Sequence, residues 1–310
     1  MQATLISDVT FHGVGLHSGV ATKMTVRPAG IGHGVWFKRV DVAEDGSGRD
    51  PHVPASYDAV EMKPLCTRIV NADGVEVQTI EHITAALAGC GVRNALIELD
   101  GPEVPIMDGA SGDFVRAFVE AGVKAQDAAM YAIEILDPVT VEQDGAVATL
   151  SPARSLEIDF RIEFDDAAIG AQSKTLNMAN GTFVRELSDS RTFCRKSDID
   201  TMHANGLALG GTYENAVVVD GDDVLSPGGL RHADEAVRHK MLDALGDLSL
   251  AGAPILGRYT GVRAGHALTN KLLHKLFATP GSYRLVPCTP AQLSRLPGVG
   301  VKRADLALVS

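Results

Sequence analysis

Cysteine, positive charge and long apolar runs are all scarce in this chain. Four cysteines serve 310 residues, Cys66, Cys90, Cys194 and Cys288, and no two stand in a C-x-x-C spacing. That excludes a disulfide framework or an all-cysteine metal site and suits a reducing compartment. Lysine and arginine number 28 against 39 acidic residues, a formal charge of −11. A general nucleic-acid surface or an anionic-membrane surface needs clustered positive charge, so an anionic ligand would have to be met by a few local cations. No apolar run reaches the roughly 20 residues of a membrane span. No charged-then-apolar leader precedes position 20, and the first lysine is Lys23. The expectation is a cytoplasmic chain without a transmembrane segment, and no obligate protein partner is evident.

What is present is enough apolar material, 45% of the residues, for two domains with cores of their own. Early segments alternate in the manner of strands, as in ATKMTVRP and GVWFKRVDV. TIEHITAALAGCG then switches to helical period, with Thr79 expected as the N-cap. The strand NALIELD, the turn GPEVPIMDGASG and the helix DFVRAFVEAG follow. VKAQDAAM (123–130) reads as a linker. A second strand-rich block leads to the helix DEAVRHKMLDALGDLSLAG, the strand APILGRYTGVRAG and the helix HALTNKLLHKLFA. Both halves run strands, helix, strand, helix. The fold class expected is α+β: two similar two-layer βα sandwiches, 1–126 and 127–310, with their helices facing each other and the active site between them.

The helix EAVRHKMLDALGDL carries the first chemical signal. Val237, Met241, Ala244, Leu245 and Leu248 form one apolar stripe, and His239, Asp243 and Asp247 stack four residues apart on another face. Such a row suits a solvated surface, but His-x-x-x-Asp also offers a nitrogen and an oxygen to one small cation. The matching helix of the first half begins with Glu81 and His82. Together, His82, His239 and Asp243 make three N/O ligands with a fourth position left open, the ligand count of a catalytic zinc. Neighbouring helix residues diverge by about 100°, so Glu81 is better placed as general base than as a fourth ligand. His266, before the last apolar helix, is the candidate acid for a leaving amine, and Asp247 the carboxylate that would keep it protonated. A helix-capping role would also explain His266. His12, His17, His33, His52, His203, His232 and His274 have no comparable partner spacing and read as surface or structural.

Taken in order, GVGLHSG, TIEHITAALAGCGVRNALIEL, PEVPIMDGAS, SRTF, LALGG, VRHKMLDALGDL and GHALTNKLL resemble the zinc-dependent UDP-3-O-acyl-N-acetylglucosamine deacetylases of lipid A biosynthesis, the LpxC family, from about residue 3 to 280. The resemblance implies two βα sandwiches with zinc between them, held by His82, His239 and Asp243, with Glu81 as base, His266 as acid and Asp247 orienting the acid. It further implies that the Thr192 hydroxyl helps hold the oxyanion. Lys240 and Arg263 would be the cations near the nucleotide, with Phe160 an aromatic beside it. Phe193 and an insert from about 194 to 220, with Ile199, Leu207, Ala208, Thr212, Val217 and Val218, would form an apolar passage for the substrate's acyl chain. Plain core packing would account equally for any one of these apolar residues. Fe²⁺ also accepts this ligand set.

The end of the chain departs from that pattern. AQLSRLPGVGVKRADLAL resembles a helix-hairpin-helix, whose glycine turn presents backbone N–H groups to a nucleic-acid phosphate; the plainer reading is a surface tail. The function expected is therefore hydrolysis of the acetamido group of UDP-3-O-acyl-N-acetylglucosamine, a small-molecule partner, without nucleic acid. The alternatives are a zinc amidohydrolase of another amide and a nucleic-acid-binding module.

Overall fold

A computed structural model describes residues 1–308. The first half is built on a five-stranded sheet in the order Val9–Val14, Ala21–Pro28, Ala95–Leu99, Val35–Arg39, His52–Pro54. Its strands keep the alternation seen in the sequence: Thr22, Met24 and Val26 point inward and their neighbours outward. The second half has a larger sheet, in which Ile255–Val262 is the central strand. Ala146–Pro152 pairs antiparallel along one side of it. Tyr131–Ile135 and Glu157–Glu163 run parallel to successive parts of its other side. Helices pack on one face of each sheet, and the two sets of helices meet in the middle. This is the α+β arrangement expected, and most buried apolar residues of both halves join in one cluster, beside a small second one of Met130, Ala132, Leu256 and Leu296.

The central contact is between the helices Glu81–Gly89 and Glu235–Ser249. All nine residues of the first are buried, because its own sheet covers one side and the partner helix the other; an all-round apolar helix is the sequence form of that position. In the second, His239, Asp243 and Asp247 are 3%, 4% and 1% exposed. The solvated-surface reading of that row is thereby excluded, and buried charges of this kind need partners. The close approach rests on Gly246, where a Cβ would stand 2.1 Å from the Glu81 carbonyl oxygen. Gly246→Ala is accordingly expected to cost ~1–3 kcal/mol of unfolding free energy by overpacking, measured by urea denaturation, and to lower activity by displacing Glu81.

Several local expectations are corrected. Thr79 is not the N-cap: Ile80 holds that position and no side chain caps the helix. Thr79 instead takes φ +57, and its hydroxyl donates to Glu103 at 2.6 Å. That fully buried carboxylate also accepts from the backbone N–H groups of His17 and Ser18, so it ties the GLHSG turn to the helix start. VDV, read as the end of a strand, opens the short helix Val40–Glu44. The supposed linker is partly a strand, Val123–Gln126, paired antiparallel with Gln2–Leu5; its polarity reflects a two-stranded ribbon with one side in water. The C-terminal turn is neither a phosphate cradle nor a loose tail. Gly298 lies so close to Gly91 that a Cβ there would stand 2.0 Å from the Gly91 nitrogen, Leu296 is buried, and Arg93 donates to the Pro297 carbonyl at 3.1 Å.

Candidate active site

Glu81 and His82 open their helix at the interface of the two halves, and His239, Asp243 and Asp247 face them from the partner helix. One ligand atom from each of His82, His239 and Asp243 lies within 4.8 Å of the others. The His239 Nε2 and His82 Nε2 atoms stand 3.3 Å and 3.7 Å from Asp243 Oδ1, with the imidazole rings edge to face at 5.0 Å. Asp243 Oδ1 is buried and has no hydrogen-bond partner. An orphaned carboxylate oxygen between two imidazole nitrogens fits a cation, because a buried anion without a partner is otherwise costly.

The surroundings prepare the nitrogens for that role. His239 Nδ1 lies 3.0 Å from the Ser190 carbonyl; a carbonyl only accepts, so Nδ1 carries the proton and the Nε2 lone pair faces inward. Burial, aided by the neighbouring His239, pushes His82 down to about 3, and burial lowers His239 as well. Both imidazoles are neutral at physiological pH, the form that ligates metal. The Ser111 hydroxyl donates to the His82 carbonyl at 2.8 Å and fixes the helix start. Burial opposes the charge on Asp243, but His239 and Lys240 outweigh it and hold the carboxyl well below the usual range. Lys240 Nζ donates to Asp243 Oδ2 at 2.8 Å.

Beside this cluster stand a further carboxylate and a further imidazole, Glu81 and His266. Thr67 contributes twice: its backbone N–H donates to Glu81 Oε2 at 3.0 Å, and its hydroxyl to Asp247 Oδ1 at 2.5 Å. The other Asp247 oxygen is 3.0 Å from His266 Nδ1, which turns His266 Nε2 toward Glu81 Oε1 and Asp243 Oδ2, each at 3.7 Å. Burial raises Glu81 to about 7, with Asp243 and Asp247 adding to the effect and His266 opposing it. Burial opposes the proton on His266, but Asp247, Glu81 and Asp243 together raise it to about 9. A carboxylate and an imidazole whose environments set them on either side of neutrality are equipped to take one proton and give another.

The model of the LpxC family, described as UDP-3-O-acyl N-acetylglycosamine deacetylase, matches residues 2–278. The chain belongs to this family. It is 48% identical to the UDP-3-O-acyl-N-acetylglucosamine deacetylase of Phenylobacterium zucineum, over 92% of this chain and 96% of that one. Identity to the proteins of the same name from Myxococcus xanthus and Shewanella frigidimarina is 43%, over 99% and 92% of this chain and 95% and 92% of theirs. LpxC-family members are deacetylases, hydrolases acting on an amide bond, and His82, His239 and Asp243 form one buried cluster whose atoms could hold a metal ion. Among the described residues no helix is long and apolar enough to cross a membrane.

The other residues expected from the LpxC pattern are placed unevenly. Phe193 is half-buried with its ring 6.3 Å from that of His239. The residue before Phe193, Thr192, lies just ahead of the strand and is held by backbone bonds to Gly109 and Val217. The insert forms the strand Phe193–Arg195, the helix Lys196–Ala204 and the strand Val217–Asp220, with Phe193 beside Val217. Val217 and Val218 are buried, Ile199, Leu207 and Ala208 half-buried, and Thr212 exposed. The Ala208 N–H faces His17 Nδ1 at 3.3 Å, which joins the insert to the first half. Phe160 and Arg263 sit in contrasting surroundings. Phe160 is 1% exposed and packs on Tyr259 and Gly261 beneath the second sheet. Arg263 is exposed at the end of its strand, with its guanidinium on the Gly145 carbonyl. Its φ of +50 reflects the sharp turn into the His266 helix. Thr67 and Ser190 escaped the sequence reading because one acts largely and the other wholly through backbone groups, and His17, read as structural, proves to be buried beside Glu103.

Proposed function

We propose that the chain hydrolyses the N-acetyl group of UDP-3-O-acyl-N-acetylglucosamine, releasing acetate and the free amine, with Zn²⁺ as its metal and the cytoplasm as its compartment. The observation that carries this reading is the unpartnered Asp243 Oδ1 between His82 and His239, with Glu81 and His266 alongside. Two neutral imidazoles and one carboxylate suit zinc, and the ligands come from both parts of the chain, 1–126 and 127–310. When bound, such a cation supplies Lewis acidity to the amide carbonyl and acidifies water.

The protein's own residues carry the remaining steps. Glu81, held on Oε2 by the Thr67 N–H, takes a proton on Oε1 as the water oxygen bonds to the acetyl carbon. Thr192 stands as the hydroxyl donor to the carbonyl oxygen as negative charge gathers there. His266 Nε2 then gives its proton to the amide nitrogen as the C–N bond breaks, so acetate leaves from a neutral amine. Asp247 keeps the imidazolium oriented through Nδ1. Lys240 stands between Asp243 and the space outside the cluster, a local cation for a diphosphate in a net-acidic protein. Phe193, Ile199, Leu207, Ala208, Thr212, Val217 and Val218 border the acyl chain. Acetate release from the UDP-sugar, run beside release from an N-acetylated peptide, tests the assignment; equal turnover of both would defeat it.

The pH profile of kcat/KM should be a bell. Activity rises with pH as Glu81 loses its proton and falls as His266 loses its own, and a bound cation draws both limbs lower than about 7 and 9. Asp247 is the largest influence raising His266. Asp247→Asn is therefore expected to bring the alkaline limb to lower pH and leave the acidic limb in place. An alkaline limb unmoved in both Asp247→Asn and His266→Ala would assign that ionisation to another group.

A further inference from the structure

Along the same two helices, beyond the metal cluster toward their C-terminal ends, lies a cavity of about 550 Å³. Leu87 and Ala88 of the first helix and Leu245 and Leu248 of the second form its floor, and Val92 and Ile255 close its sides. Its volume is within the roughly 300–1,000 Å³ of small-molecule sites. One cation lines it, Arg93. The Arg93 backbone N–H is fixed on the Ala3 carbonyl, and of the five N–H donors of its guanidinium one is engaged, on the Pro297 carbonyl. Among the described residues no carboxylate pairs with it, and burial without such a partner draws its pKa down to about 10, which leaves it charged. A half-buried charged arginine with four of its five N–H donors unengaged by protein groups is open to an anionic partner. Asp58, the one carboxylate of the lining, is exposed.

We propose that this cavity is a second ligand site, separate from the metal centre, for an amphiphile with one carboxylate and a linear aliphatic tail. The carboxylate meets Arg93 as a two-pronged, charge-assisted pair, and the tail lies along Leu87, Leu245 and Leu248, where its methylenes leave water. The C-terminal turn at Pro297 closes the charged end. A neutral ligand would leave Arg93 uncompensated, and a diphosphate would bring a second charge to a lining that holds one cation.

Calorimetric titration of the full-length, metal-loaded protein with laurate and with dodecanol tests the proposal. One saturable laurate site is expected. Arg93→Gln should weaken laurate about 10-fold or more, as for loss of a hydrogen bond to a charged group, and leave dodecanol unchanged. Ala253→Leu, which fills the cavity wall and keeps Arg93, should weaken both. Thermal unfolding of each variant identifies any that has not folded, and the Ala253→Leu result stands independently of Arg93→Gln. No saturable laurate binding to the wild-type protein, or binding unaltered in both folded variants, would overturn the site; the second result would place laurate elsewhere, such as beside the insert.

Discussion

Asp243→Ala purified from metal-replete medium is expected to contain far less than one equivalent of divalent metal, and His82→Ala likewise. The two residues lie on different helices from different halves of the chain, and each supplies one of the three atoms that converge within 4.8 Å. Loss of a group that merely orients a ligand costs metal proteins about 10–100-fold in affinity, so loss of a ligand should cost more than ~100-fold. Asp243→Ala also removes the partner of Lys240 and leaves that ammonium facing two imidazoles, which further disfavours a cation. Elemental analysis after dialysis, with circular dichroism to establish the fold, is the measurement. Full occupancy in either folded variant would remove the residue from the ligand set. Deacetylase activity should fall with the metal, and titration with Zn²⁺ or Fe²⁺ should restore less than the wild-type level.

Glu81→Ala and Glu81→Gln are expected to behave oppositely to the ligand variants, losing ~10²–10⁴-fold in kcat, the usual contribution of a general base, while keeping their metal. The Glu81 carboxylate is held by the Thr67 N–H and faces His266, and it is not one of the atoms of the His82, His239 and Asp243 cluster. The glutamine variant retains the shape and can still accept the Thr67 hydrogen bond through its carbonyl oxygen, so it separates proton transfer from packing. KM should change little if the side chain acts on water rather than on the sugar. A metal-free Glu81→Gln protein would mean that base and ligand are misassigned.

The polar row of the Glu235–Ser249 helix was legible in the sequence because helical spacing alone puts His239, Asp243 and Asp247 on one face. The pairing with Glu81 and His82 was legible only through the repeated order of elements in the two halves. Positions governed by tertiary contact were not. Thr79 carries the residue type of a cap, yet the attraction of its hydroxyl to buried Glu103 keeps it in a left-handed turn before the helix. Phe160 alternates with outward-facing neighbours on its strand, and alternation says which face a ring takes but not whether that face is a pocket or a core. Gly246 gives no signal in the sequence, although its missing side chain is what admits the Glu81 carbonyl. The glycine turn near residue 298 has the composition of a phosphate loop, and its contact with Gly91 decides otherwise.

The contact between Gly246 and the Glu81 backbone has a kinetic corollary. Glu81, the proposed base, belongs to one half, and His239, Asp243 and the proposed acid His266 belong to the other, so parting the halves would dismantle the proposed catalytic geometry at every turnover. The interface is also sealed by the apolar cluster common to both. Substrate and product must therefore come and go through a frame that stays shut, past segments at its edge such as the insert that meets His17. Small-angle scattering should give the same radius of gyration with and without a bound product, and the slow step of release should respond to changes in that edge and not to solvent viscosity acting on a hinge.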